Sequence, residues 1–109
     1  MLSKQRRISR REFPKLAPSR VIRGPLCNLA ITNIDKTSRF SISVSKKIHK
    51  SAVIRNRIRR WGYRAIQENL QNVNNGALLR FVVYKKPDNY GQMRQEIVYL
   101  LEQSGILRK

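Results

Sequence analysis

The sequence has one cysteine, one histidine and few acids, and each scarcity excludes a class of site. The single Cys27 cannot form an intramolecular disulfide or a cysteine-rich zinc site, which is typical of a protein from a reducing compartment. The single His49 excludes a histidine pair for acid–base catalysis and a histidine metal cluster. Uninterrupted apolar runs are only a few residues long, far below the ~18 residues of a membrane span, and no signal-peptide-like stretch follows the charged N-terminus. We therefore expect a cytoplasmic protein with no membrane association.

Positive charge is what the sequence has in excess. Lys and Arg number 24 against six acidic residues in a chain of 109, which gives a formal net charge of +18. Eighteen of these bases fall in positions 1–64, where Glu12 and Asp35 are the only acids, so that segment carries +16. A domain with this imbalance repels itself, and a polyanionic partner accounts for the charge most simply. The sequence therefore favours a protein that acts beside a polyanion.

Length and hydrophobic content predict a folded chain rather than a charged arm. Hydrophobic residues make up 40% of the sequence, far more than in a disordered basic tail. The length suits one compact domain and is too short for two well-packed cores. We therefore expect a single domain over residues 1–109, in which residues 1–8 form a basic, partly flexible N-terminus.

The hydrophobic pattern predicts the element order helix, strands, helix, strand, helix. Ser9 and Glu12 have the spacing of a capping box, so a short helix is expected to begin there, and Pro14 and Pro18 limit its length. The predicted strands are Leu26–Thr32, Arg39–Ser45 and Leu78–Tyr84, and the predicted later helices run from about Ala52 to Leu70 and from Pro87 to Gly105. The fold class is α+β, with a single sheet of about four strands packed with helices in the order α-β-β-(β)-α-β-α.

Periodicity assigns faces to two of these elements. The strand at 39–45 alternates between an apolar set and a polar set, which are Phe40, Ile42 and Val44 against Arg39, Ser41, Ser43 and Ser45. The helix that follows has a buried stripe at helical spacing, made of Ile54, Ile58, Trp61 and Ala65. Packing in the core is favoured for Trp61 over stacking on a base, and Cys27 is expected to be a small core residue. Glu96 and Glu102 are expected to be ordinary surface charges.

A cationic segment without acids lies between positions 46 and 64. Its eight basic residues are Lys46, Lys47, Lys50, Arg55, Arg57, Arg59, Arg60 and Arg64. Because each helical residue turns ~100° from the last, Arg55, Asn56, Arg59 and Arg60 project away from the buried stripe. Like charges one turn apart destabilise a helix until anions neutralise them, and guanidinium groups grip phosphate oxygens two at a time. The segment therefore predicts a phosphate-binding surface, with an ordinary solvated helix face as the alternative.

The order of these motifs resembles the bacterial ribonuclease P protein family. The resemblance rests on S-V-S-K-K at 43–47, A-V-I-R-N-R-I-R-R at 52–60, the Glu12-Phe13 step and K-K-P at 85–87, and it extends over nearly the whole chain. It implies a ribosomal-protein-like domain that serves as the protein subunit of ribonuclease P, which removes the 5′ leader of precursor transfer RNA. It also implies a 1:1 complex with the catalytic RNA, in which RNA-bound Mg²⁺ cuts the bond. The protein then supplies no catalytic side chain and binds no metal or cofactor alone.

The resemblance also assigns roles to residues. The set that contacts the catalytic RNA is Lys46, Lys47, Lys50, Arg55, Asn56, Arg57, Arg59, Arg60 and Arg64. The set expected at or near a cleft for the single-stranded leader is Phe13, Ile31, Ser41, Ser43 and Ser45, with Phe13 split between leader contact and core packing. The N-terminal bases expected to add phosphate contacts are Arg6, Arg7, Arg10 and Arg11, with a solvated tail as the alternative. The chain departs from the family at Ala17, where a second aromatic is usual, so the cleft is expected to be less aromatic.

Three other functions remain as alternatives. A ribosomal protein or general RNA-binding module shares the charge but has no reason to combine the S-V-S-K-K strand with the R-N-R helix. A membrane-surface protein with a basic amphipathic helix needs an exposed apolar face, whereas the stripe here has strands to cover. A self-contained nuclease needs an acid–base pair that the sequence does not offer.

Overall fold

The computed structural model describes residues 4–8, 20–34 and 37–107. These residues form four strands and two α-helices: β1 Arg20–Arg23, β2 Cys27–Asn33, β3 Arg39–Val44, α1 Ala52–Asn69, β4 Ala77–Val83 and α2 Tyr90–Ser104. The predicted α+β class with a sheet of four strands is confirmed. The predicted helix at residues 9–18 lies outside the described residues. The short strand β1 was not assigned to any residues by the sequence pattern.

The four strands form one sheet in the order β1-β2-β4-β3. β2 is antiparallel to both β1 and β4, whereas β3 and β4 run parallel and are joined through α1. β4 therefore has a strand on either side. This explains its nearly continuous apolar sequence, since an interior strand is covered more completely than an edge strand.

Both helices pack on one face of the sheet. Fully buried side chains from the strands, such as Phe40 and Phe81, meet fully buried side chains from the helices, such as Ile66 and Ile97. Each such burial stabilises the fold by roughly 1.5–3 kcal/mol relative to exposure. Cys27 is also completely buried in this core, as the sequence predicts.

The helix ends follow from local hydrogen bonds. The Ser51 hydroxyl accepts from the Ile54 amide at 3.4 Å and caps α1, as predicted. The Asn89 side chain accepts from the Gln92 amide at 2.9 Å and caps α2. Gly105 then ends α2 in the left-handed region, with φ of 77°, a conformation that glycine adopts without steric cost.

The buried stripe of α1 is wider than the spacing predicts. Ile58 and Ala65 are buried, whereas Ile54 and Trp61 are half-buried and pack against the core. The residues that the prediction missed are Gly62, Tyr63 and Ile66. Gly62 is needed for close approach, because a Cβ at this position would lie 2.9 Å from Cδ1 of Ile42. The Tyr63 hydroxyl accepts a 3.2 Å hydrogen bond from the Ile42 amide, which ties α1 to β3.

The strand pairing decides which side chains share the second face of the sheet, opposite α1 and α2. Ser41 is paired with Arg80, and Arg80 with Ala30, so these three side chains project to that face. Ser43 projects there as well, beside Val82, and both are exposed. Ser41 differs from the prediction of a uniformly wet face, since it is only 5% exposed and its hydroxyl has no hydrogen-bond partner among the described residues.

Residues 4–8 lie against the edge of β3. Ile8 donates a backbone hydrogen bond of 2.9 Å to the Phe40 carbonyl and is buried, and Arg7 forms a parallel bridge with Phe40. This stretch of the predicted basic N-terminus therefore contacts the sheet through Arg7 and Ile8. Among the described residues, no helix is both long and apolar enough to cross a bilayer.

Candidate nucleic-acid interface

The cationic surface begins in the turn between β3 and α1. The Ser45 carbonyl accepts from the Ile48 amide at 3.0 Å, and the Ser45 hydroxyl accepts from the Lys47 amide at 3.2 Å. These two bonds fix a tight turn, and they leave the side chains of Lys46 and Lys47 exposed. Ser45 therefore shapes the turn at residues 46–50, which we call the lysine turn. The alternation pattern of the strand alone does not indicate this role.

The turn leads into the N-terminus of α1. His49 accepts a 3.0 Å hydrogen bond from the Ser51 amide through Nδ1, so the neutral ring carries its proton on Nε2, where it can donate outward. The first turn of α1 contains no acid, and Lys50 beside it is exposed. The helix dipole and the free amides at this end both favour an anion. Helix and side chains therefore attract the same kind of ligand.

The arginines of the first turns of α1 are accessible and have no acidic partner in the part of the chain that the structure describes. Arg57 and Arg60 are exposed, and Arg55 and Arg59 are partly exposed. Ion pairs within the described ranges involve only Glu68, with Arg64 and Arg94. Arg59 instead donates to the neutral Asn56 side chain at 2.9 Å, which orients the guanidinium without cancelling its charge. This part of α1 therefore presents several cations that have no acidic partner among the described residues, with Arg57 and Arg60 on its exposed face and Arg55 and Arg59 beside the buried residues.

Arg64 stands apart from the other arginines of the predicted set. Its Nε lies 3.4 Å from the Glu68 carboxylate, and its guanidinium carbon lies 4.3 Å from the centre of the Tyr90 ring. Glu68 also pairs with Arg94 of α2 at 3.3 Å and accepts a hydrogen bond from the Tyr90 hydroxyl. Arg64 therefore helps to join α1 to α2, and its side chain is still 67% exposed.

The cluster of Arg64, Glu68, Tyr90 and Arg94 shifts the pKa values of Glu68 and Tyr90. The hydrogen bond from Tyr90 is the main cause that holds the pKa of Glu68 below its usual range, helped by Arg94 and Arg64. Burial and the bond to Glu68 raise the pKa of Tyr90. At neutral pH Glu68 is therefore charged and Tyr90 keeps its proton. The sequence signal for this cluster was the position of Glu68, four residues after Arg64, but its partners on α2 are remote in sequence.

The residues predicted for a leader cleft do not share one surface. Ser43 is exposed on the second face of the sheet, and Ser41 lies buried on the same face. Ile31 pairs with Leu79 and is buried on the opposite face, which α1 and α2 cover. Its assignment to the serine-lined cleft is wrong, because alternate residues of a strand face opposite ways. Phe13 lies outside the described residues.

The N-terminal bases are only partly described. Arg6 donates to the Ser38 carbonyl at 3.0 Å, and the Nε of Arg7 is buried without a hydrogen bond to the described residues. Both side chains are partly exposed. Arg10 and Arg11 lie outside the described residues. Arg6 and Arg7 are therefore engaged with the edge of the sheet rather than extended on a tail.

The sequence predicted that Glu96 is an ordinary surface charge, and this prediction is wrong. It is 6% exposed, and its Oε2 accepts hydrogen bonds from the amides of Leu26 at 2.6 Å and Cys27 at 2.8 Å. The carboxylate thus anchors the turn between β1 and β2. Burial, with a smaller effect of the Glu96 charge, raises the pKa of the Cys27 thiol to about 12. Such a thiol is unreactive in the folded protein.

The chemistry available to this surface is electrostatic binding. Nowhere in the described ranges do three or more metal-ligating side chains come together. The fold is a small basic α+β domain whose accessible, unneutralised arginines lie along the first turns of one helix. Such a domain is built to bind a polyanion.

Comparison with known families identifies the chain. The sequence profile of the Ribonuclease P family matches residues 2–105, so the chain belongs to that family. A bacterial protein named Ribonuclease P protein component, from Microcystis aeruginosa, is 36% identical over 74 residues. The match covers 64% of this chain and 60% of the relative, so it spans less than two thirds of that protein.

Solved structures of the family share the fold. The RNase P protein of Staphylococcus aureus superimposes with a TM-score of 0.78 at 18% identity, covering 94% of this chain and 98% of that one. The RNase P protein of Thermotoga maritima gives a TM-score of 0.78 at 20% identity, covering 89% of this chain and 96% of that one. The chain therefore has the fold of these two proteins.

Proposed function

We propose that this chain is the protein subunit of a ribonuclease P and binds the catalytic RNA through the lysine turn and the first turns of α1. The observation that carries the proposal is the set of exposed and partly exposed cations on α1 that have no acidic partner among the described residues. Arg57 and Arg60 are free to grip phosphates in two-point contacts, and Asn56 holds Arg59 in place for the same task. Phosphates remove the repulsion between these like charges, so binding relieves an unfavourable feature of the free protein.

The precursor is proposed to bind on the second face of the sheet. Ser43 is exposed there and pairs with Val82, whose side chain is 42% exposed. A hydroxyl beside an accessible apolar side chain suits a single-stranded leader, in which bases and phosphates are both available. The surface lacks an aromatic side chain at these two positions, so stacking, worth ~1–3 kcal/mol per base, contributes little there.

The cleavage chemistry is proposed to belong to the RNA. Mg²⁺ held by the RNA subunit supplies the activated water, while the protein contributes binding and positioning. The working assembly is a cytoplasmic 1:1 ribonucleoprotein, and the protein alone uses no cofactor.

A reconstituted processing reaction tests the proposal. Bacterial ribonuclease P RNA is incubated with a labelled precursor transfer RNA at low magnesium, with and without the protein. The protein is expected to raise the rate of 5′ leader removal with a saturating dependence on its concentration. A general basic RNA-binding protein of similar charge serves as the control. Stimulation no greater than that of the control, at any concentration, would leave a general RNA-binding module as the better account.

A further inference from the structure

A cavity of about 530 Å³ lies outside the surfaces described above. It is an open cavity bordered by the turn between β1 and β2, the residues that follow β4, and one side of α2, and its lining includes Leu26, Lys85, Lys86, Asp88, Gln92, Glu96 and Tyr99. We propose that this cavity binds one unpaired nucleotide whose base carries an exocyclic amine, as cytosine does. The volume falls within the ~300–1,000 Å³ of ordinary ligand sites.

Burial separates the floor of the cavity from its rim. Glu96 and Leu26 are 6% and 7% exposed and form the floor. Lys85, Lys86, Asp88 and Tyr99 are exposed and form the rim, on which the two lysines outnumber the one acid. A negative floor and a cationic rim suit a ligand that has a hydrogen-bond donor at one end and a phosphate at the other. A nucleotide is such a ligand.

The second oxygen of the Glu96 carboxylate provides selectivity for a base that carries an exocyclic amine. Oε2 takes both backbone bonds from the β1–β2 turn, and Oε1 makes no hydrogen bond to any residue that the structure describes. A carboxylate oxygen only accepts, so it pairs with an amine N–H, as Glu does with the amine of cytosine. Uracil presents a carbonyl at the same position, which the carboxylate repels. Anchoring the turn accounts for one oxygen of Glu96 and leaves the other for the ligand.

Two further side chains suit a nucleotide. The Gln92 side-chain oxygen accepts from the Asp88 amide at 2.6 Å, so its N–H₂ group is left to donate to a base carbonyl. The Tyr99 ring is 45% exposed on the rim, where a base can stack on it. Cytosine offers a carbonyl as well as an amine, and therefore complements both Gln92 and Glu96.

The position of the cavity indicates that the nucleotide is part of an RNA. β3 and β4 are parallel, and Val44 pairs with Val83 at their ends. The lysine turn that follows β3 and the Lys85-Lys86 pair that follows β4 therefore lie at the same end of the sheet. An RNA bound along the cationic surface passes this end of the sheet and can insert one unpaired base into the cavity. In this respect the inference rests on the proposed function.

The test uses free mononucleotides, so it does not depend on ribonuclease P activity. Uniformly ¹⁵N-labelled protein is titrated with CMP and, separately, with UMP, which has the same charge and differs at the amine. CMP is expected to give saturable shifts at the Leu26 and Cys27 amides and the Gln92 side-chain amide, with affinity about tenfold higher than that of UMP. Equal affinities, or shifts confined to residues 46–60, would overturn the proposal.

The variant Glu96→Gln tests the role of the carboxylate more directly than the titration of the wild-type protein. The glutamine carbonyl can keep the bonds from the turn, while its N–H₂ group replaces the acceptor in the cavity. The preference should move from CMP to UMP, and a folded variant that still prefers CMP contradicts the proposal. Tyr99→Leu leaves the turn intact and should weaken CMP binding about tenfold through lost stacking. If Glu96→Gln does not fold, unchanged CMP affinity in Tyr99→Leu is sufficient to reject the site. The processing reaction is scored separately, so either proposal can fail alone.

Discussion

The guanidinium of Arg59 donates a 2.9 Å hydrogen bond to the side-chain oxygen of Asn56, one turn earlier on α1. The partner is neutral, so the arginine is oriented and keeps its full charge for a ligand. An acid at the same position would orient Arg59 equally well but would cancel the charge. The chain thus combines a fixed side chain with an uncompensated cation.

Two substitutions of Asn56 test separately the orientation of the Arg59 side chain and the effect of a negative charge at position 56. Asn56→Ala removes one hydrogen bond, worth ~0.5–1.5 kcal/mol, and is expected to weaken binding to ribonuclease P RNA by about three- to tenfold. Asn56→Asp keeps an acceptor but adds a negative charge, so it should weaken binding further, and the gap between the two variants should narrow at high salt. Filter binding at two salt concentrations measures both effects. Binding of the Asp variant that equals or exceeds that of the Ala variant would show that charge at this position is unimportant.

The double variant Arg55→Ala/Arg59→Ala tests the assignment of faces on α1. Neither side chain is buried, so the fold should be retained while RNA affinity falls by at least tenfold at moderate salt. Arg94→Ala is the matched control, because Arg94 is a partly exposed arginine that already pairs with Glu68. Circular dichroism reports the fold, and filter binding reports the affinity. Loss of the native spectrum in the double variant would mean that these arginines support the core.

Glu68→Gln should show a stability effect that depends on pH. Because the pKa of Glu68 is lower in the folded protein than in the unfolded chain, its charged form stabilises the fold above the unfolded value of ~4.3. That contribution is lost as the pH falls below this value and through the folded pKa. The difference in urea midpoint between the wild type and Glu68→Gln should therefore be present at pH 7 and shrink in acid. A gap for Glu68→Gln that widens in acid contradicts the assignment.

Tyr63→Phe isolates the hydrogen bond between α1 and β3. The ring volume is retained, but the buried Ile42 amide loses its acceptor, which costs about 1–3 kcal/mol. Urea denaturation should show this loss, and RNA affinity of the folded fraction should be unchanged, since Tyr63 lies in the core. Tyr99→Phe removes a hydroxyl from an exposed ring and should change stability by less than ~0.5 kcal/mol. Equal stability of Tyr63→Phe and the wild type would show that water or another group satisfies the amide.

Local patterns were sufficient for most of the fold. The alternation of Phe40 and Ile42 predicted a half-buried strand, and Ser51 predicted the start of α1, because both signals lie within a few residues of the feature. The strand β1 was not located, since a four-residue edge strand with an arginine at each end has little apolar pattern. The exposed positions of Asn56 and Arg60 also followed from helical spacing alone, whereas Arg55 and Arg59, which were predicted to point away from the core with them, are only partly exposed.

The errors at the candidate site come from contacts between distant parts of the chain. Glu96 was taken for a surface charge because the amides that it binds lie 69 and 70 residues away. Ile31 was placed beside the serines by resemblance, and only the pairing of Ile31 with Leu79 shows that it faces the helices. The contact of Arg64 with Tyr90 was also missed, because it depends on how α1 and α2 pack; the phosphate contact of Arg64 stays a prediction.

The salt dependence of binding to ribonuclease P RNA tests the central claim most directly. If the turn at 46–50 and the arginines of α1 each neutralise a phosphate, the logarithm of the association constant should fall linearly with the logarithm of salt concentration. The expected slope is about 0.7–0.9 per contact, so several contacts give a steep line. A nearly flat plot, or one that the Arg55→Ala/Arg59→Ala variant reproduces with the same slope, would contradict binding through this helix.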